Sequence, residues 1–167
     1  PITPPTTAAP TTTTIPVGVL AVGDSVMAGA VDPMRTLIGS LTVNAKISRA
    51  CGEAVRIVRA SLADGSLPQT VVVHMGTNGP CTETELDDLV ALTADRRLVL
   101  VDVAAPRPWE HLANERIAAA VARAPGVGLA DWKSRSDGHP EWFVADGVHL
   151  TPAGRLAYAA LVSEAIG

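Results

Sequence analysis

The chain has 167 residues, of which 47% are hydrophobic, and it carries a formal net charge of −4. This length suits one domain with a substantial core. The sequence contains no run of Lys or Arg, which argues against a nucleic-acid-binding protein. No apolar run approaches the roughly 20 residues needed to cross a bilayer, and no segment has the pattern of a signal peptide.

The first 16 residues, PITPPTTAAPTTTTIP, are low-complexity Pro/Thr sequence without periodicity. Such a segment cannot bury a core, so we predict an extended linker over residues 1–16 and one folded domain over residues 17–167. Linkers of this kind often connect an extracytoplasmic domain to a membrane-associated part of the same protein. A disordered chain end is the alternative that the composition leaves open.

Apolar segments of strand length alternate with amphipathic segments of helix length. The predicted strands are Val17–Val22, Leu41–Ala45, Thr70–Met75, Leu98–Val103 and Val127–Ala130. The predicted helices cover Gly52–Ala63, a segment after the capping box at Thr82, a segment that begins at Pro108, and Pro152 to about Ile166. Continuous apolar runs such as TVVVHM are typical of parallel strands buried on both faces. The pattern therefore predicts an α/β fold, a three-layer sandwich around a five-stranded parallel sheet.

Polar side chains follow each predicted strand, at the carboxyl edge where parallel sheets bind ligands. The last strand leads into residues 131–150, which we predict to be the longest irregular loop of the chain, and long loops are often functional. The candidate residues at this edge are Asp24, Ser25, Arg49, Asn78, Arg107, Trp109, His139, Asp146 and His149.

These residue types are the parts of a nucleophilic hydrolase or acyltransferase site. A serine hydroxyl becomes a nucleophile when an imidazole takes its proton, and a carboxylate commonly orients that imidazole. Backbone N–H groups and an Asn amide can stabilise the oxyanion that forms. The spacing Asp146-x-x-His149 allows one loop to position both acid and base.

Each of these residues also has a structural interpretation. Asp24 and Ser25 are both favoured as helix caps, and Asn78 tolerates the left-handed conformation of a turn. Asp146 could simply form a turn, and His149 could be a structural histidine before the last helix.

Two other histidines have different environments in the sequence. His74 lies inside an apolar strand and is predicted to be a packed core residue. His139 could bind substrate, or it could help to fold its loop under Trp142 and Phe143.

The two cysteines, Cys51 and Cys81, form no CxxC motif and do not predict a zinc site. The sequence alone does not distinguish a disulfide between them from two buried free thiols. No feature of the sequence calls for a metal or another cofactor.

Three motifs together resemble the SGNH hydrolases, also called GDSL-type esterases and acyltransferases. They are GDS at residues 23–25, GTNG at residues 76–79 and DGVHLT at residues 146–151, and the resemblance extends over residues 17–167. More narrowly, VVVHMGTNGP, VDVAAPRPWE and the segment from ADWKSRSDGHPEWF to GRLAYA resemble the extracytoplasmic domains fused to integral-membrane acyltransferases, such as the peptidoglycan O-acetyltransferases. The resemblance implies a flavodoxin-like SGNH-hydrolase fold.

The resemblance also implies roles for individual residues. Ser25 would be the nucleophile, His149 the general base and then acid, and Asp146 the residue that orients His149. Asn78 and the Ser25 backbone N–H would be oxyanion donors. SGNH enzymes usually have a glycine donor after the second strand, and here Arg49 stands at that place. Its backbone N–H could still donate, and its side chain could attract a carboxylate-bearing glycan.

The implied function is serine-dependent O-acyl transfer, of acetyl above all, to cell-envelope carbohydrate. Its partners would be an acyl donor, a carbohydrate acceptor and an integral-membrane acyltransferase domain upstream in the full-length chain, with an extracytoplasmic location tethered to the membrane. A carbohydrate esterase of the same family is the alternative, and a glycan-binding domain without catalysis is a third.

The resemblance gives further residues a candidate role. Cys51 and Cys81 both fall on loops beside the implied active site, which favours a disulfide between them in an oxidising compartment. Arg107, Trp109 and His139 are candidate substrate contacts, although Arg107 and Trp109 could equally pack at a helix start.

Overall fold

A parallel five-stranded sheet forms the centre of the molecule in the computed structural model, which describes residues 15–167. The strands are β1 (Val19–Gly23), β2 (Leu41–Ala45), β3 (Thr70–His74), β4 (Arg97–Val101) and β5 (Gly128–Ala130), in the spatial order β2-β1-β3-β4-β5. The strand order reverses at β1, so the loop after β1 lies at the topological switch point where such sheets bind ligands. The predicted α/β sandwich is confirmed.

Helices cover both faces of the sheet. They are α1 (Ser25–Gly29), α2 (Val31–Leu37), α3 (Cys51–Ala63), α4 (Glu83–Leu92), α5 (Glu110–Arg123), α6 (Trp132–Ser136) and α7 (Pro152–Ile166). The predicted capping box is confirmed, because Thr82 accepts from the Glu85 backbone N–H while the Glu85 carboxylate accepts from that of Thr82. The predicted start of α7 is also confirmed, with Thr151 as N-cap and Pro152 as first residue.

Two apolar layers bury alternate residues of each strand, which explains the continuous apolar runs in the sequence. Ala21 of β1 faces the layer that contains Met27 and Tyr158, whereas Val22 faces the layer that contains Val58 and Leu89. Within residues 15–167 no helix is long and apolar enough to span a membrane.

Some predicted boundaries were wrong. The first strand begins at Val19 rather than Val17, whose side chain is 79% exposed. Helix α5 begins at Glu110 rather than at Pro108, because Trp109 serves as its N-cap. Residues 1–14 of the predicted linker lie outside the described residues, so the linker and the domain boundary stay predictions.

The predicted irregular loop over residues 131–150 is partly helical. Asp131 caps α6 by accepting from the Ser134 backbone N–H at 2.8 Å. Trp132 is completely buried, and its ring stacks with that of Trp142, which ends a 3-10 turn over Pro140–Trp142. This aromatic packing gives the segment a core contact that the polar sequence around it did not indicate.

Candidate active site

Ser25 lies at the carboxyl edge of β1, as the first residue of α1. Asp24 is the N-cap of this helix and accepts from the Val26 backbone N–H at 3.0 Å, with no exposed surface. The helix-cap interpretation is therefore correct for Asp24. It does not apply to Ser25, whose hydroxyl instead contacts His149 in a surface cleft.

A tight turn before α7 holds Asp146 and His149 together. Asp146 Oδ1 accepts from the backbone N–H groups of Val148 and His149 at 2.9 and 3.0 Å. Gly147 has a φ of +66°, and a Cβ there would lie 3.1 Å from Pro106, so both the backbone conformation and the packing favour glycine. The turn interpretation of Asp146 is correct, and the same turn brings its second oxygen to His149.

The side chains of Asp146, His149 and Ser25 form a continuous hydrogen-bonded chain. Asp146 Oδ2 lies 2.6 Å from His149 Nδ1, and His149 Nε2 lies 3.0 Å from Ser25 Oγ. Since the carboxylate can only accept, we assign the imidazole proton to Nδ1, which leaves Nε2 free to accept from the serine hydroxyl. An imidazole in this state can take the proton of an attacking hydroxyl.

Hydrogen bonds keep the Asp146 carboxylate ionised. The His149 side chain, followed by the backbone N–H groups of His149 and Val148, lowers the pKa of Asp146 to about 2. The carboxylate therefore stays negative at neutral pH. It can orient His149 and stabilise a positive charge on it without taking its proton.

The loops after β2 and β3 meet beside Ser25. Asn78 Nδ2 donates to the Arg49 backbone carbonyl at 3.4 Å, a long and weak bond that leaves the amide available to a better acceptor. In residues 15–167 the non-glycine residues with positive φ are Ser40 and Ser48, so the left-handed turn interpretation of Asn78 was wrong.

The Arg49 side chain is buried beneath the sheet edge. Its guanidinium donates to the carbonyls of Gly23 and Asn44 and to the Asn44 side chain, and only 4% of the residue is exposed. The expectation that this side chain attracts a glycan was therefore wrong. In the described part of the chain the Arg49 backbone N–H has no protein acceptor, so the donor role expected of it stays open.

The disulfide between Cys51 and Cys81 is present, as the resemblance favoured. Both residues are buried, with 6% and 3% exposure. Cys51 begins α3 just after Arg49, and Cys81 lies three positions after Asn78. The bond therefore joins the two loops that carry these oxyanion candidates.

The cleft over Ser25 has a volume of about 220 Å³ and is lined by Ser25, Thr77, Asn78, Arg107, Trp109, Val148 and His149. The Trp109 indole N–H donates to the Gly76 carbonyl at 3.2 Å, which joins the loop after β4 to the loop after β3. Arg107 is exposed and makes no ion pair with any residue of the described chain. Thr77 was not predicted, although its place inside GTNG could have indicated it.

A larger cavity of about 460 Å³ lies beside this cleft and includes His139, Phe143 and Gly147 but not Ser25. We locate the chemistry in the smaller cleft, because the hydrogen-bonded chain opens there. His139 stacks on Trp142 with ring centroids 3.9 Å apart and pairs with Glu141. These contacts favour the interpretation that His139 folds its own loop.

Two carboxylates meet at the ends of β4 and β5. Burial, and to a smaller extent the neighbouring Asp131, raise the pKa of Asp102 to about 7, despite a hydrogen bond from the Lys133 backbone N–H. Burial alone would also raise the pKa of Asp131, but hydrogen bonds from Ser134 and Asp102 outweigh burial and lower it. The pair therefore shares one proton, held on Asp102, near neutral pH.

No group of three or more His, Cys, Asp or Glu side chains in residues 15–167 is arranged to bind a metal ion. The side chains that line the cleft over Ser25 offer acid–base and nucleophilic chemistry. Its parts are a hydroxyl, an oriented imidazole and nearby N–H donors.

Comparisons with known proteins identify relatives of this chain. No family model matches the chain. It is 35% identical over 156 residues to the peptidoglycan O-acetyltransferase OatA of Listeria monocytogenes, a match that covers 93% of this chain but 25% of that protein. The chain thus spans about a quarter of the length of this relative.

Solved structures show the same architecture. The C-terminal catalytic domain of OatA from Streptococcus pneumoniae superposes with a TM-score of 0.79 at 24% identity, and the match covers 92% of this chain and 94% of that domain. A family 3 carbohydrate esterase of Clostridium thermocellum superposes with a TM-score of 0.72 at 14% identity over 89% and 94% of the two chains. The chain therefore has the SGNH-hydrolase fold and is a homologue of the bacterial peptidoglycan O-acetyltransferases.

Proposed function

We propose that this chain transfers an acyl group, acetyl in the first instance, to a hydroxyl of cell-envelope carbohydrate through an acyl-serine intermediate. The observation that carries the proposal is the hydrogen-bonded chain from Asp146 through His149 to Ser25, with distances of 2.6 and 3.0 Å. The name of the Listeria relative, a peptidoglycan O-acetyltransferase, supports peptidoglycan as the acceptor.

In the first step Ser25 Oγ forms a bond to the carbonyl carbon of the acyl donor. His149 Nε2 takes the serine proton as that bond forms, and Asp146 stabilises the imidazolium. The tetrahedral intermediate then collapses, the bond to the leaving group breaks, and His149 gives its proton to the leaving oxygen. The products of this step are acyl-Ser25 and the free donor alcohol.

The oxyanion of the intermediate needs fixed donors. We assign this role to the Ser25 backbone N–H, to the Asn78 amide and to the Arg49 backbone N–H. The first lies at the start of α1, where backbone N–H groups have no intrahelical partner. The Cys51–Cys81 disulfide supports the other two by joining their loops.

In the second step an acceptor hydroxyl gives its proton to His149 and attacks the carbonyl carbon of acyl-Ser25. The bond from that carbon to Ser25 Oγ then breaks, and His149 returns the proton to Oγ, which releases the ester product and restores the serine. Water in place of the carbohydrate would make the enzyme an esterase. The His149 side chain is 49% exposed, so water reaches the base, and this observation favours esterase activity as the second candidate.

Arg107 is the charged contact that we propose for the acceptor. It lines the cleft over Ser25, and a free guanidinium there would bind a carboxylate by paired hydrogen bonds. Trp109 would act as a wall of the cleft, since its indole N–H is already bound to Gly76.

We further propose that an integral-membrane acyltransferase domain of the same full-length protein delivers the acyl group outside the cytoplasm. Most of the Listeria relative lies outside the matched region, which leaves room for such a domain. A disulfide between two buried cysteines supports an oxidising compartment.

The test measures release of p-nitrophenol from p-nitrophenyl acetate, with and without peptidoglycan oligosaccharides, for the wild type and Ser25→Ala. We expect turnover in the wild type, acetylated oligosaccharide by mass spectrometry, and a loss of roughly 10⁴-fold or more in Ser25→Ala. Ser136→Ala is a matched control, because Ser136 is buried on α6 and hydrogen-bonded to Trp132.

Different outcomes separate the candidates. Hydrolysis without oligosaccharide product would support the esterase. Binding of oligosaccharide without turnover of any ester would support the non-catalytic glycan-binding domain. Equal turnover in the wild type and Ser25→Ala would contradict both enzymatic candidates.

A further inference from the structure

Three buried polar side chains lie near the carboxyl end of β1, and none of them lines the cleft over Ser25. Asp24 precedes Ser25 in the chain, His74 ends β3 in register with Gly23, and Tyr158 comes from α7. Their exposures are 0%, 1% and 0%. The Tyr158 hydroxyl lies 2.8 Å from His74 Nδ1.

Two atoms of this group have no partner within residues 15–167. They are Asp24 Oδ2 and His74 Nε2, and both are inaccessible to solvent. Asp24 Oδ1 is already occupied by the Val26 N–H. A buried carboxylate oxygen without a donor is unfavourable, so unpaired atoms of this kind require an explanation.

The unpaired atoms are complementary. His74 is in register with Gly23, the residue before Asp24, so the ring and the carboxylate lie at the same end of neighbouring strands. Burial lowers the pKa of His74, while the negative charge of Asp24 raises it. Burial and the same charge raise the pKa of Tyr158. Near neutral pH the ring and the phenol are therefore neutral, and the imidazole has one N–H to donate.

We infer that His74 carries its proton on Nε2 and directs it toward the Asp24 carboxylate through one buried water, while Nδ1 accepts from the Tyr158 hydroxyl. The other tautomer would turn an imidazole lone pair toward a carboxylate. It would also leave the Tyr158 O–H without an acceptor among the described residues. The chosen tautomer gives the Tyr158 O–H an acceptor and leaves the imidazole N–H free to donate to a water bound by the Asp24 carboxylate.

Arg49 completes the surroundings of Asp24 from the β2 side. Its guanidinium is held by the Gly23 and Asn44 carbonyls, although its Nε also lacks a protein partner. Arg49 thus balances the negative charge of Asp24. On the β3 side His74 supplies an N–H donor, and the hydrogen bond with Tyr158 fixes the tautomer of the His74 ring.

The consequence for catalysis rests on the proposed function. Asp24 caps α1, and the first residue of α1 is Ser25, so a fixed Asp24 carboxylate fixes the Ser25 backbone N–H and hydroxyl. His74 and Tyr158 are therefore positioning residues for the nucleophile. They act through Asp24 and do not touch the substrate.

Imidazole ¹⁵N NMR of the wild type tests the tautomer directly. His111→Gln, His139→Gln and His149→Gln at exposed or partly exposed positions assign the other three histidines, and the remaining signals belong to His74. We expect a protonated Nε2 and an unprotonated Nδ1. A protonated Nδ1 would overturn the inference, with no need for any variant in the buried group.

Two variants test the consequences. Asp24→Asn should shift the His74 Nε2–H resonance, and an unchanged resonance would overturn the link between His74 and Asp24. Tyr158→Phe should lower kcat for p-nitrophenyl acetate roughly tenfold with little change in KM, because a misplaced nucleophile slows the reaction without weakening binding. Thr93→Val is the control, since Thr93 is also buried and hydrogen-bonded but lies at the end of α4.

The results of these experiments distinguish a failure of this inference from a failure of the proposed function. A protonated Nε2 in a protein without ester turnover would leave the tautomer standing and reject the proposed enzyme. A protonated Nδ1 in an active enzyme would reject the inference alone. An equal loss of kcat in Tyr158→Phe and Thr93→Val would reject the positioning role.

Discussion

A carboxylate, an imidazole and a hydroxyl lie together twice in this molecule, on opposite sides of the turn that holds Asp24 and Ser25. On the cleft side Asp146, His149 and Ser25 form an exposed chain, in which the first two side chains are 43% and 49% exposed. On the inner side Asp24, His74 and Tyr158 are buried.

The difference between the two groups shows what makes the same side chains reactive. The hydroxyl of Ser25 opens into a cleft with room for a substrate, whereas that of Tyr158 is enclosed by packed side chains. The His149 imidazole opens into the cleft, whereas burial lowers the pKa of His74 and keeps it neutral near pH 7. The exposed group should therefore have the largest effect on the reaction rate, whereas the buried group should act on the rate only through the position of Ser25.

Asp146→Asn should give the largest change in rate. The amide can no longer fix the reactive tautomer of His149 or stabilise its charge, so we expect kcat for p-nitrophenyl acetate to fall roughly 10³–10⁴-fold. Asp137→Asn removes an exposed carboxylate from the same part of the chain and should leave kcat unchanged. A loss below tenfold in Asp146→Asn would contradict the role that we assign to the exposed group.

The exposed group could be predicted from sequence, and the buried group could not, for a physical reason. Ser25, Asn78 and His149 each follow a strand or precede a helix inside a short motif, so the fold alone brings them to one edge. His74 and Tyr158 are 84 positions apart, and nothing in the local pattern of either residue indicates the other. His74 was correctly predicted to be buried, but its partner depends on how α7 packs.

Arg49 shows a second limit of the sequence. Its position after β2 is consistent with a backbone oxyanion donor, but a charged residue near an active site also suggested a glycan contact. The structure buries the guanidinium against backbone carbonyls instead. A long side chain can reach either solvent or an unsatisfied carbonyl, and the sequence does not distinguish the two.

Asn78→Ala tests whether the reaction rate depends on the loops around Ser25 as well as on the hydrogen-bonded group of Asp146, His149 and Ser25. Loss of one oxyanion donor commonly slows acyl transfer roughly 10²–10³-fold, and we expect a loss in that range with little change in KM. Asn114→Ala is the matched control, because Asn114 bonds the Val103 backbone away from the Ser25 cleft. Equal effects of both variants on kcat would contradict the assignment of Asn78.

The disulfide lies between the two regions, since it is buried but joins loops of the exposed site. Replacing both Cys51 and Cys81 by Ala removes a cross-link across a separation of 30 residues and should lower the free energy of unfolding by about 3 kcal/mol. Urea unfolding measures this loss, and kcat at 25 °C should change less than tenfold. A larger fall in kcat would show that this buried bond also determines the rate.

The pH dependence of stability gives the smallest expected effect, through the buried Asp102. Its pKa is about 7 in the folded protein, against an ordinary value of 3.8. Below about pH 4 both the folded and the unfolded protein hold the Asp102 proton. The contribution of this residue to the free energy of unfolding is then at its maximum. Between pH 4 and 7 the unfolded chain releases the proton while the folded protein keeps it, so stability falls as pH rises and levels off above 7.

Asp102→Asn isolates this contribution, because Asn still accepts from the Lys133 backbone N–H and can donate to Asp131 in place of the shared proton. From pH 5 to pH 8 the wild type should lose on the order of 2 kcal/mol more than the variant in urea unfolding. Asp137→Asn, which alters an exposed carboxylate, should follow the wild type at both pH values. Parallel curves for all three proteins would mean that burial does not hold a proton on Asp102. The difference in pKa between buried and exposed carboxylates would then depend on hydrogen bonds alone, as the low pKa of Asp146 does.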